Sequence, residues 1–442
     1  MRTFSMGGIH PPEYKISEGK PIKQAPLPKQ SVVLLNQHIG APAIPVVKKG
    51  EEVKTGQLIA KANGFISANI HSPVSGIISK MDLITDAGGY KQEAIFIDVV
   101  DDLWMDSIDR SVALVKNCDL DAAQIIEKIA QAGIVGMGGA TFPTHVKLTP
   151  PPGKKVDVLI VNAVECEPFL TSDHQLMMEK GEEILVGLSI LMKATQAKRG
   201  IIGIENNKPD AIAHLKALAV QYPGVEVVSL KVEYPQGGEK QLIDAVTGRQ
   251  VPSGALPIEV GAIVQNVATI FAVYEAVQKN KPLFERVITV TGQKVHQPGN
   301  FLARIGTPFS DLMNAAGGLP EDSVKVTGGG PMMGKALINL SVPVTKGSSG
   351  LLVLSGKETL RKEMKNCIRC AKCVKACPMG LEPYLFMTLI EHEEWEKLEK
   401  ERIMDCIECG CCTYSCPSAR PLLDYLKIGK AKVGGRIRAR KQ

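Results

Sequence analysis

Apolar residues between positions 31 and 100 occur in short runs, each broken by glycine, proline or charged residues. The runs SVVLLNQ (31–37), APAIPVV (41–47) and AIFIDVV (94–100) have the length and β-branched content of strands. The runs GQLIA (56–60) and GFISANIHSPVSGIISK (64–80) lie between them and have the same character. The pattern therefore predicts a small β domain near the start of the chain.

From residue 120 to 285 the apolar pattern changes to an alternation of helices and buried strands. Continuous apolar runs predict strands at VDVLIVNA (156–163), RGIIGIE (199–205) and VEVVSLKV (225–232). Three helices are expected around them, the second of them amphipathic: Asp121–Ala132, Lys180–Thr195 and Lys208–Gln221. Strands that alternate with helices indicate an α/β domain with a mainly parallel sheet.

The rest of the chain contains two further regions. Strand-like runs return at RVITVTGQKV (286–295) and DSVKVTGGGPMMG (322–334), with a short helix at Phe309–Ala316. Residues after 357 are mostly helical around two cysteine-rich runs, which a polar helical linker, Leu381–Met404, joins. We therefore expect domains at residues 1–115, 116–285, 286–345 and 357–442.

Composition narrows the class of protein and its compartment. The net charge of +6 is spread over 442 residues and is not the basic footprint of a nucleic-acid-binding protein. Residues 1–30 contain no apolar signal segment, and no run approaches the ~18 apolar residues of a membrane span. We therefore expect a cytosolic chain. Nine of its 11 cysteines follow residue 366, which in a reducing compartment favours metal binding over disulfides.

The cysteines form the strongest chemical signal. CIRCAKCVKACP (367–378) and CIECGCCTYSCP (406–417) share the spacing C-x2-C-x2-C-x3-C-P of bacterial ferredoxins, in which the fourth cysteine ligates the other cluster. Two [4Fe–4S] clusters are thus predicted, one held by Cys367, Cys370, Cys373 and Cys416, the other by Cys406, Cys409, Cys412 and Cys377. Zinc or free thiols are the alternative, although zinc sites rarely use two such runs. Cys411 lies outside the pattern.

A second candidate site is the glycine-rich stretch GIVGMGGATFPTHVK (133–147), which lies between a predicted helix and the strand VDVLIVNA. Glycines let backbone N–H groups approach a phosphate closely, and Lys147 adds a positive charge. A structural turn would explain the glycines about as well. The stretch is not the dinucleotide fingerprint, which follows the first strand and opens a helix.

Four motifs in this region resemble the NADH-oxidising flavoprotein subunit of respiratory complex I. The glycine-rich stretch is similar to its GxGGAGFPTGxKW loop, and NAVECEP (162–168) to its NADEGEP segment. QGGEK (236–240) and QNVAT (265–269) resemble its CGEE turn and NNVET segment, in the same order. The chain departs from that pattern at four positions. Complex I has aspartate where this chain has Val164, and an acid where it has Lys240. His145 replaces a glycine of that pattern and Leu148 a tryptophan.

Over nearly its whole length the chain resembles a narrower family, the RnfC proteins of the Rnf electron-transport complex. The resemblance rests on FSMGGIHP (4–11), on the loop ending FPTHVKL (142–148) and on the two-cluster tail. KKGEEVKTGQLIAKANGFISANIHSPVSGII (48–78) resembles a lipoyl domain without its modifiable lysine. The implied fold is multidomain α/β: an N-terminal lipoyl-like barrel-sandwich module, a Rossmann-like α/β FMN/NADH domain, a β-grasp domain that binds soluble ligands, and a C-terminal α-helical ferredoxin domain.

The resemblance also implies roles for single residues. The loop residues Gly136, Gly138, Gly139 and Lys147 would cradle the phosphate and ribityl chain of FMN. Asn162, Asn266 and Thr269 would hydrogen-bond the flavin. Three acids, together with Gly238, would lie beside the flavin and the nicotinamide nucleotide: Glu165, Glu167 and Glu239. Phe142 would stack on a nucleotide ring, with a place in the core as the alternative.

The function implied is that of an NAD(H)-linked electron-entry or electron-exit subunit of an ion-translocating ferredoxin:NAD oxidoreductase. Its cofactors would be FMN, NAD(H) and two [4Fe–4S] clusters. It would lie peripherally on the cytoplasmic side of the membrane, with other Rnf-type subunits, including an iron–sulfur subunit, as partners and ferredoxin as an indirect one. Two alternatives are a soluble flavin/iron–sulfur reductase, such as a cobalamin reductase, and a non-catalytic electron-relay subunit. No residue is expected to act as a general acid or base.

Overall fold

The N-terminal module is a sandwich of two small antiparallel sheets. The computed structural model describes residues 1–440, apart from the side chains of residues 324, 357 and 358. One sheet has the order β2 (Gln30–Leu34), β8 (Lys91–Asp101), β7 (Ser75–Thr85) and β4 (Glu52–Val53). The other has the order β3 (Ile44–Pro45), β5 (Leu58–Lys61) and β6 (Ile70–His71). Inward side chains such as Val33, Ile59 and Ile95 share one core, as a barrel-sandwich requires.

The second unit is a four-stranded parallel sheet. Its order is β11 (Val225–Leu230), β10 (Arg199–Glu205), β9 (Val158–Asn162) and β12 (Ala262–Asn266). The chain leaves β9 towards β10 and β11 on one side and later returns as β12 on the other. The carboxyl ends of β9 and β12 therefore form a topological switch point, where open α/β sheets bind ligands.

Seven helices belong to this unit: α1 (Ala122–Gln131), α2 (Thr144–Lys147), α3 (Ser172–Glu179), α4 (Gly181–Thr195), α5 (Pro209–Ala219), α6 (Glu239–Thr247) and α7 (Val267–Lys279). The side chain of Asp121 caps α1, as a helix start there requires. The helix α4 was expected to be amphipathic, but most of its surface is buried because α1, α5 and α7 all pack against it.

The third unit is a six-stranded mixed sheet with α8 (Phe309–Ala315) against it. Its order is β1 (Ile22–Gln24), β14 (Gly299–Arg304), β13 (Glu285–Thr291), β17 (Gly350–Ser355), β15 (Ser323–Gly328) and β16 (Lys335–Ala336). The strand β17 lies beyond residue 345, where we placed the end of this domain, and pairs with both β13 and β15. The N-terminal strand β1 forms one edge.

The cysteine-rich region is helical, with α9 (Lys372–Lys375), α10 (Pro383–Glu391), α11 (Trp395–Lys400), α12 (Cys411–Ser415) and α13 (Leu422–Ala439). The expected linker is two helices, since the chain turns between α10 and α11 at Glu393, whose φ is 54°. Residues 441 and 442 of the expected domain lie outside the described residues.

Within residues 1–440, no helix combines the length and the apolar character that crossing a membrane demands.

Candidate functional site

Two asparagines define the switch point of the parallel sheet. Asn162 and Asn266 end β9 and β12 and lie side by side in the register of the two strands. The Asn162 amide donates a hydrogen bond to the carbonyl oxygen of Gly237 (2.8 Å). The Asn266 side chain accepts from the N–H of Ala268 (2.9 Å) and so caps α7. Two of the three predicted flavin contacts therefore lie at one edge of the sheet, next to the N-terminus of α7.

The glycine-rich loop runs past the same helix end. The N–H of Met137 donates to the Thr269 hydroxyl (2.9 Å). A Cβ atom on Gly138 would lie 2.9 Å from the Asn266 Cβ, whereas one on Gly139 would meet nothing within 4 Å. Gly138 and Gly139 are exposed. Exposed glycine N–H groups at a helix N-terminus form a surface that suits a phosphate, so these residues fit the FMN phosphate.

Lys147 and Glu239 form an ion pair between β12 and the start of α6. The Lys147 ammonium lies 2.6 Å from the Glu239 carboxylate and donates to the Val264 carbonyl oxygen (3.1 Å). Gly238 precedes Glu239 at the start of α6. Both charged side chains are partly exposed, so either could turn towards a bound ligand.

The two acids after β9 point in different directions. The Glu165 carboxylate accepts from the N–H groups of Asp173 (2.8 Å) and His174 (3.1 Å), at the start of α3. The Glu167 carboxylate accepts from the N–H groups of Met332 and Met333 (2.9 Å each), which follow β15. Burial raises the pKa of Glu167 to about 7. Both carboxylates therefore position backbone segments, at the start of α3 and after β15, and their nucleotide contacts stay a prediction.

Phe142 is half-buried, and its carbonyl oxygen accepts from the N–H of Gly136 (2.9 Å), which closes the glycine-rich loop on itself. Its stacking on a nucleotide ring stays a prediction.

Sequence reasoning missed two residues of this site. The half-buried Asp173 carboxylate accepts from the Asn266 amide (2.7 Å), and desolvation followed by the charge of Glu165 raises the pKa of Asp173 to about 7. The Lys15 ammonium donates to the carbonyl oxygens of Glu165, Glu167 and Leu170. Neither residue belongs to a motif, so no local signal could have found them.

The cysteines line two separate cavities, one for each predicted ligand set. Four cysteines line the first cavity: Cys367, Cys370, Cys373 and Cys416. The other four predicted ligands line the second, together with Cys411: Cys377, Cys406, Cys409 and Cys412. The fourth cysteine of each run thus lies with the first three of the other run, which is the crossed arrangement of a two-cluster ferredoxin. The residues present fit two cubane clusters.

The two cavities differ in their surroundings. Cys367 and Cys370, in the first, are exposed, whereas Cys377, Cys409 and Cys412, in the second, are buried. Apart from the side chains of residues 324, 357 and 358, no three His, Cys, Asp or Glu side chains within residues 1–440 converge as they would around a single metal ion.

The second cavity adjoins the α/β unit. The Tyr234 hydroxyl donates to the Cys409 carbonyl oxygen (2.8 Å), and the Gln241 amide to the Pro378 carbonyl oxygen (3.1 Å). Tyr234 lies three residues before Gly237, the partner of Asn162. A short protein path therefore joins the switch point to the second cavity.

A parallel α/β sheet with an anion-binding loop, joined to a two-cluster cysteine domain, defines an iron–sulfur flavoprotein of electron transfer. Family models agree along the chain: the RnfC barrel sandwich hybrid domain matches residues 3–102, the Nuo51 FMN-binding domain 129–275, the SLBB domain 287–336 and the 4Fe-4S dicluster domain 359–417. These matches confirm the predicted fold class, and they confirm FMN and iron–sulfur clusters as the cofactors.

Curated relatives extend over nearly the whole chain. The C subunit of the proton-translocating ferredoxin:NAD(+) oxidoreductase complex of Clostridium ljungdahlii is 46% identical over 96% of this chain and 93% of its own. The C subunit of the Na(+)-translocating complex of Acetobacterium woodii is 42% identical over 98% and 97%. The chain therefore belongs to the RnfC family of ion-translocating ferredoxin:NAD(+) oxidoreductase complexes, as the sequence motifs predicted.

A solved structure supports the fold alone. A chain of an NAD+-reducing [NiFe]-hydrogenase, in the air-oxidised state, is 20% identical with a TM-score of 0.52. The similarity covers 71% of this chain and 63% of the hydrogenase chain, less than two thirds of it. The individual ligand residues and the domain boundaries stay predictions.

Proposed function

We propose that this chain passes electrons between NAD(H), FMN and two [4Fe–4S] clusters, as the NAD(H)-linked subunit of a membrane-bound ion-translocating ferredoxin:NAD oxidoreductase. One observation carries the proposal: the cavity of Cys377, Cys406, Cys409 and Cys412 lies against the α/β unit through Tyr234. The names of its relatives support the assignment to such a complex.

The residues of the chain would hold the cofactors in a fixed order. FMN, when bound, supplies the exchange of electron pairs with NAD(H) and of single electrons with the clusters. The glycine-rich loop and Lys147 would hold its phosphate and ribityl chain, and Asn162 would fix the ring system. The second cavity, whose cysteines are mostly buried, would then hold the cluster nearer the flavin, which we call the inner cluster. The first cavity would hold the cluster nearer the next subunit, which we call the outer cluster. The protein's own contribution is to position these groups and to exclude water from the inner cluster.

The surface around the first cavity suits an acidic partner. Every residue from 361 to 370 is exposed, and the stretch includes Lys362, Lys365 and Arg369 against one acid, Glu363. Ile368, 67% exposed, lies between two predicted ligands of the outer cluster. An apolar centre with a positive rim fits an acidic electron-transfer domain of another subunit.

A charge reversal tests this partner face. Lys362→Glu with Lys365→Glu should slow electron exchange with the rest of the complex about tenfold or more at low salt, and less at high salt. The matched control reverses Lys48 and Lys49, two exposed lysines of the barrel-sandwich module, and should change nothing. Equal effects of the two double variants would contradict the partner face.

We further propose that the chain lies peripherally on the cytoplasmic side of the membrane. Its role in ion translocation would be to deliver or withdraw electrons, while other subunits of the complex move the ion.

The first experiment is anaerobic purification with iron, sulfide and flavin quantified, followed by NADH addition. About eight irons, one FMN and bleaching of both chromophores are expected. Eight irons without flavin or a response to NADH would refute the proposal and leave the chain as an electron relay.

A further inference from the structure

Two cations of the six-stranded sheet unit are buried directly behind the glycine-rich loop. Arg286 lies in β13 and Lys346 in the segment before β17, and they are 4% and 0% exposed. We call these two residues the cation pair. Neither belongs to the parallel-sheet unit that carries the loop, and none of the flavin or NAD(H) roles above uses them.

The cation pair holds the loop through its carbonyl oxygens. The Lys346 ammonium donates to the carbonyl oxygens of Gly133 (2.7 Å) and Asn69 (2.6 Å). The Arg286 guanidinium donates to the carbonyl oxygen of Met137 (3.4 Å) and to that of Lys346. Because Asn69 belongs to the barrel-sandwich module, three units of the chain meet behind the loop.

These contacts decide which way the loop N–H groups face. In a trans peptide the C=O and the following N–H point in opposite directions. Since the Met137 carbonyl points inward to Arg286, the N–H of Gly138 points outward to the exposed side of the loop. The N–H of Met137 is held by Thr269, so the peptide groups on both sides of Met137 are fixed.

The charges are unusual for a protein interior. Among the side chains that the structure describes, no carboxylate lies in ion-pair distance of Lys346, and burial lowers its pKa to about 7. The neighbouring histidines stay neutral and add no charge of either sign: burial, then the charge of Lys346, lowers the pKa of His38 to about 4 and that of His71 to about 3. Asp173 is the acid that acts on Arg286. A buried cation such as Lys346, which has carbonyl partners but no carboxylate, costs several kcal/mol, and an anion in front of the loop would offset that cost.

We propose that Arg286 and Lys346 are positioning residues for the phosphate of the flavin, so that the β-grasp unit makes the chain select FMN over riboflavin. The inference rests on the proposed function, in which the loop binds FMN. The cation pair acts in two ways: it turns the Gly138 N–H outward, and it places positive charge behind the phosphate.

The test compares two ligands that differ only in the phosphate. The full-length chain is purified anaerobically with its clusters and freed of flavin. Dissociation constants for FMN and riboflavin are then measured by quenching of flavin fluorescence. Arg286→Gln and Lys346→Met should each lower the FMN preference, the ratio of the two constants, by about tenfold or more, with riboflavin binding changed less than about threefold. Lys346→Arg should restore part of the preference.

The matched control is Arg304→Gln. Arg304 is a β14 arginine of the same sheet, also 4% exposed, but it pairs with Asp102 and Glu285 away from the loop. The Arg304→Gln variant should lose thermal stability and keep the FMN preference. Equal weakening of FMN and riboflavin in the cation-pair variants would overturn the inference and leave a purely structural role. A wild-type chain that binds neither flavin would refute the proposed function as well. If Arg286→Gln does not fold, Lys346→Met and Arg286→Lys decide the question.

Discussion

Lys15→Met should loosen the segment that follows β9. The Lys15 ammonium donates three hydrogen bonds to that segment, to the carbonyl oxygens of Glu165 (2.8 Å), Glu167 (3.0 Å) and Leu170 (2.8 Å). Within the same segment, Glu165 and Phe169 hold φ angles of 48° and 70°, which non-glycine residues adopt only under constraint. Lys15 is therefore one of the groups that keep a strained backbone in place.

The size of the effect follows from these contacts. Three hydrogen bonds from a charged donor contribute about 5–9 kcal/mol together. Burial of the ammonium, which lowers the pKa of Lys15, costs several kcal/mol in return. A net loss of about 2–4 kcal/mol remains. Because each 1.4 kcal/mol is a factor of ten, amide exchange across residues 165–174 should become about 30- to 700-fold faster.

Hydrogen–deuterium exchange with mass spectrometry checks this prediction on the peptide that covers residues 165–174. The control is Lys20→Met, which removes a single hydrogen bond, to the Pro298 carbonyl oxygen (3.0 Å), from the same N-terminal segment. It should leave exchange in residues 165–174 unchanged. If Lys15→Met also leaves that exchange within about threefold of wild type, the constraint does not come from Lys15 and the reasoning is wrong.

Three further predictions concern the clusters and the acids. Cys416→Ala removes a ligand of the first cavity, and the chain should keep about four irons that still respond to NADH. Cys377→Ala removes a ligand of the second cavity, and the chain should keep about four irons that NADH reduces slowly. Loss of all iron in both variants would contradict the crossed ligand sets. Gly7→Ala should separate the cluster domain from the α/β unit, because Gly7 has a φ of 75° and a Cβ atom there would lie 2.5 Å from the Cys377 backbone. The iron content should persist while reduction of the clusters by NADH slows. Unchanged reduction would count against this contact. Burial raises the pKa of Glu167 from 4.5 to about 7, so the folded state keeps a proton that the unfolded state releases, and stability should fall as pH rises from about 4.5 to 7. Chemical unfolding of Glu167→Gln should show a flatter pH profile over that range, and an identical slope would remove Glu167 as its source.

Local spacing explains why the grouping of the cysteines could be predicted from the sequence. The cysteine runs carry their own geometry, because the chain must wrap each cluster over a few residues, and the fold separates the same two sets of four. The neighbouring positions of Asn162 and Asn266 were not predicted, because no strand was expected at residues 262–266. Once that strand forms, the rule that the carboxyl ends of parallel strands meet at one edge accounts for them.

The contacts that the sequence did not predict are long-range. Lys15, Arg286 and Lys346 each reach the site from another part of the chain, and no spacing rule connects them to the loops they hold. The burial of α4 has the same origin, since the pattern of a single helix does not reveal how many neighbours will cover it. The strand β17 was missed as part of its sheet because it follows a stretch without a regular pattern.

The first 24 residues touch three units that are completed much later in synthesis. The Gly8 N–H pairs with Ala376 in the cluster domain, Ile9 pairs with Tyr234, and Ile22 lies beside Asn300 in the six-stranded sheet. These partners leave the ribosome hundreds of residues after the segment itself, and contacts so far apart in sequence form slowly. The N-terminal segment can therefore complete its docking only after the cluster domain has been made, and this becomes one of the last steps of assembly. A protease that cuts exposed N-terminal segments would then distinguish finished molecules from chains whose cluster domain has not yet been made.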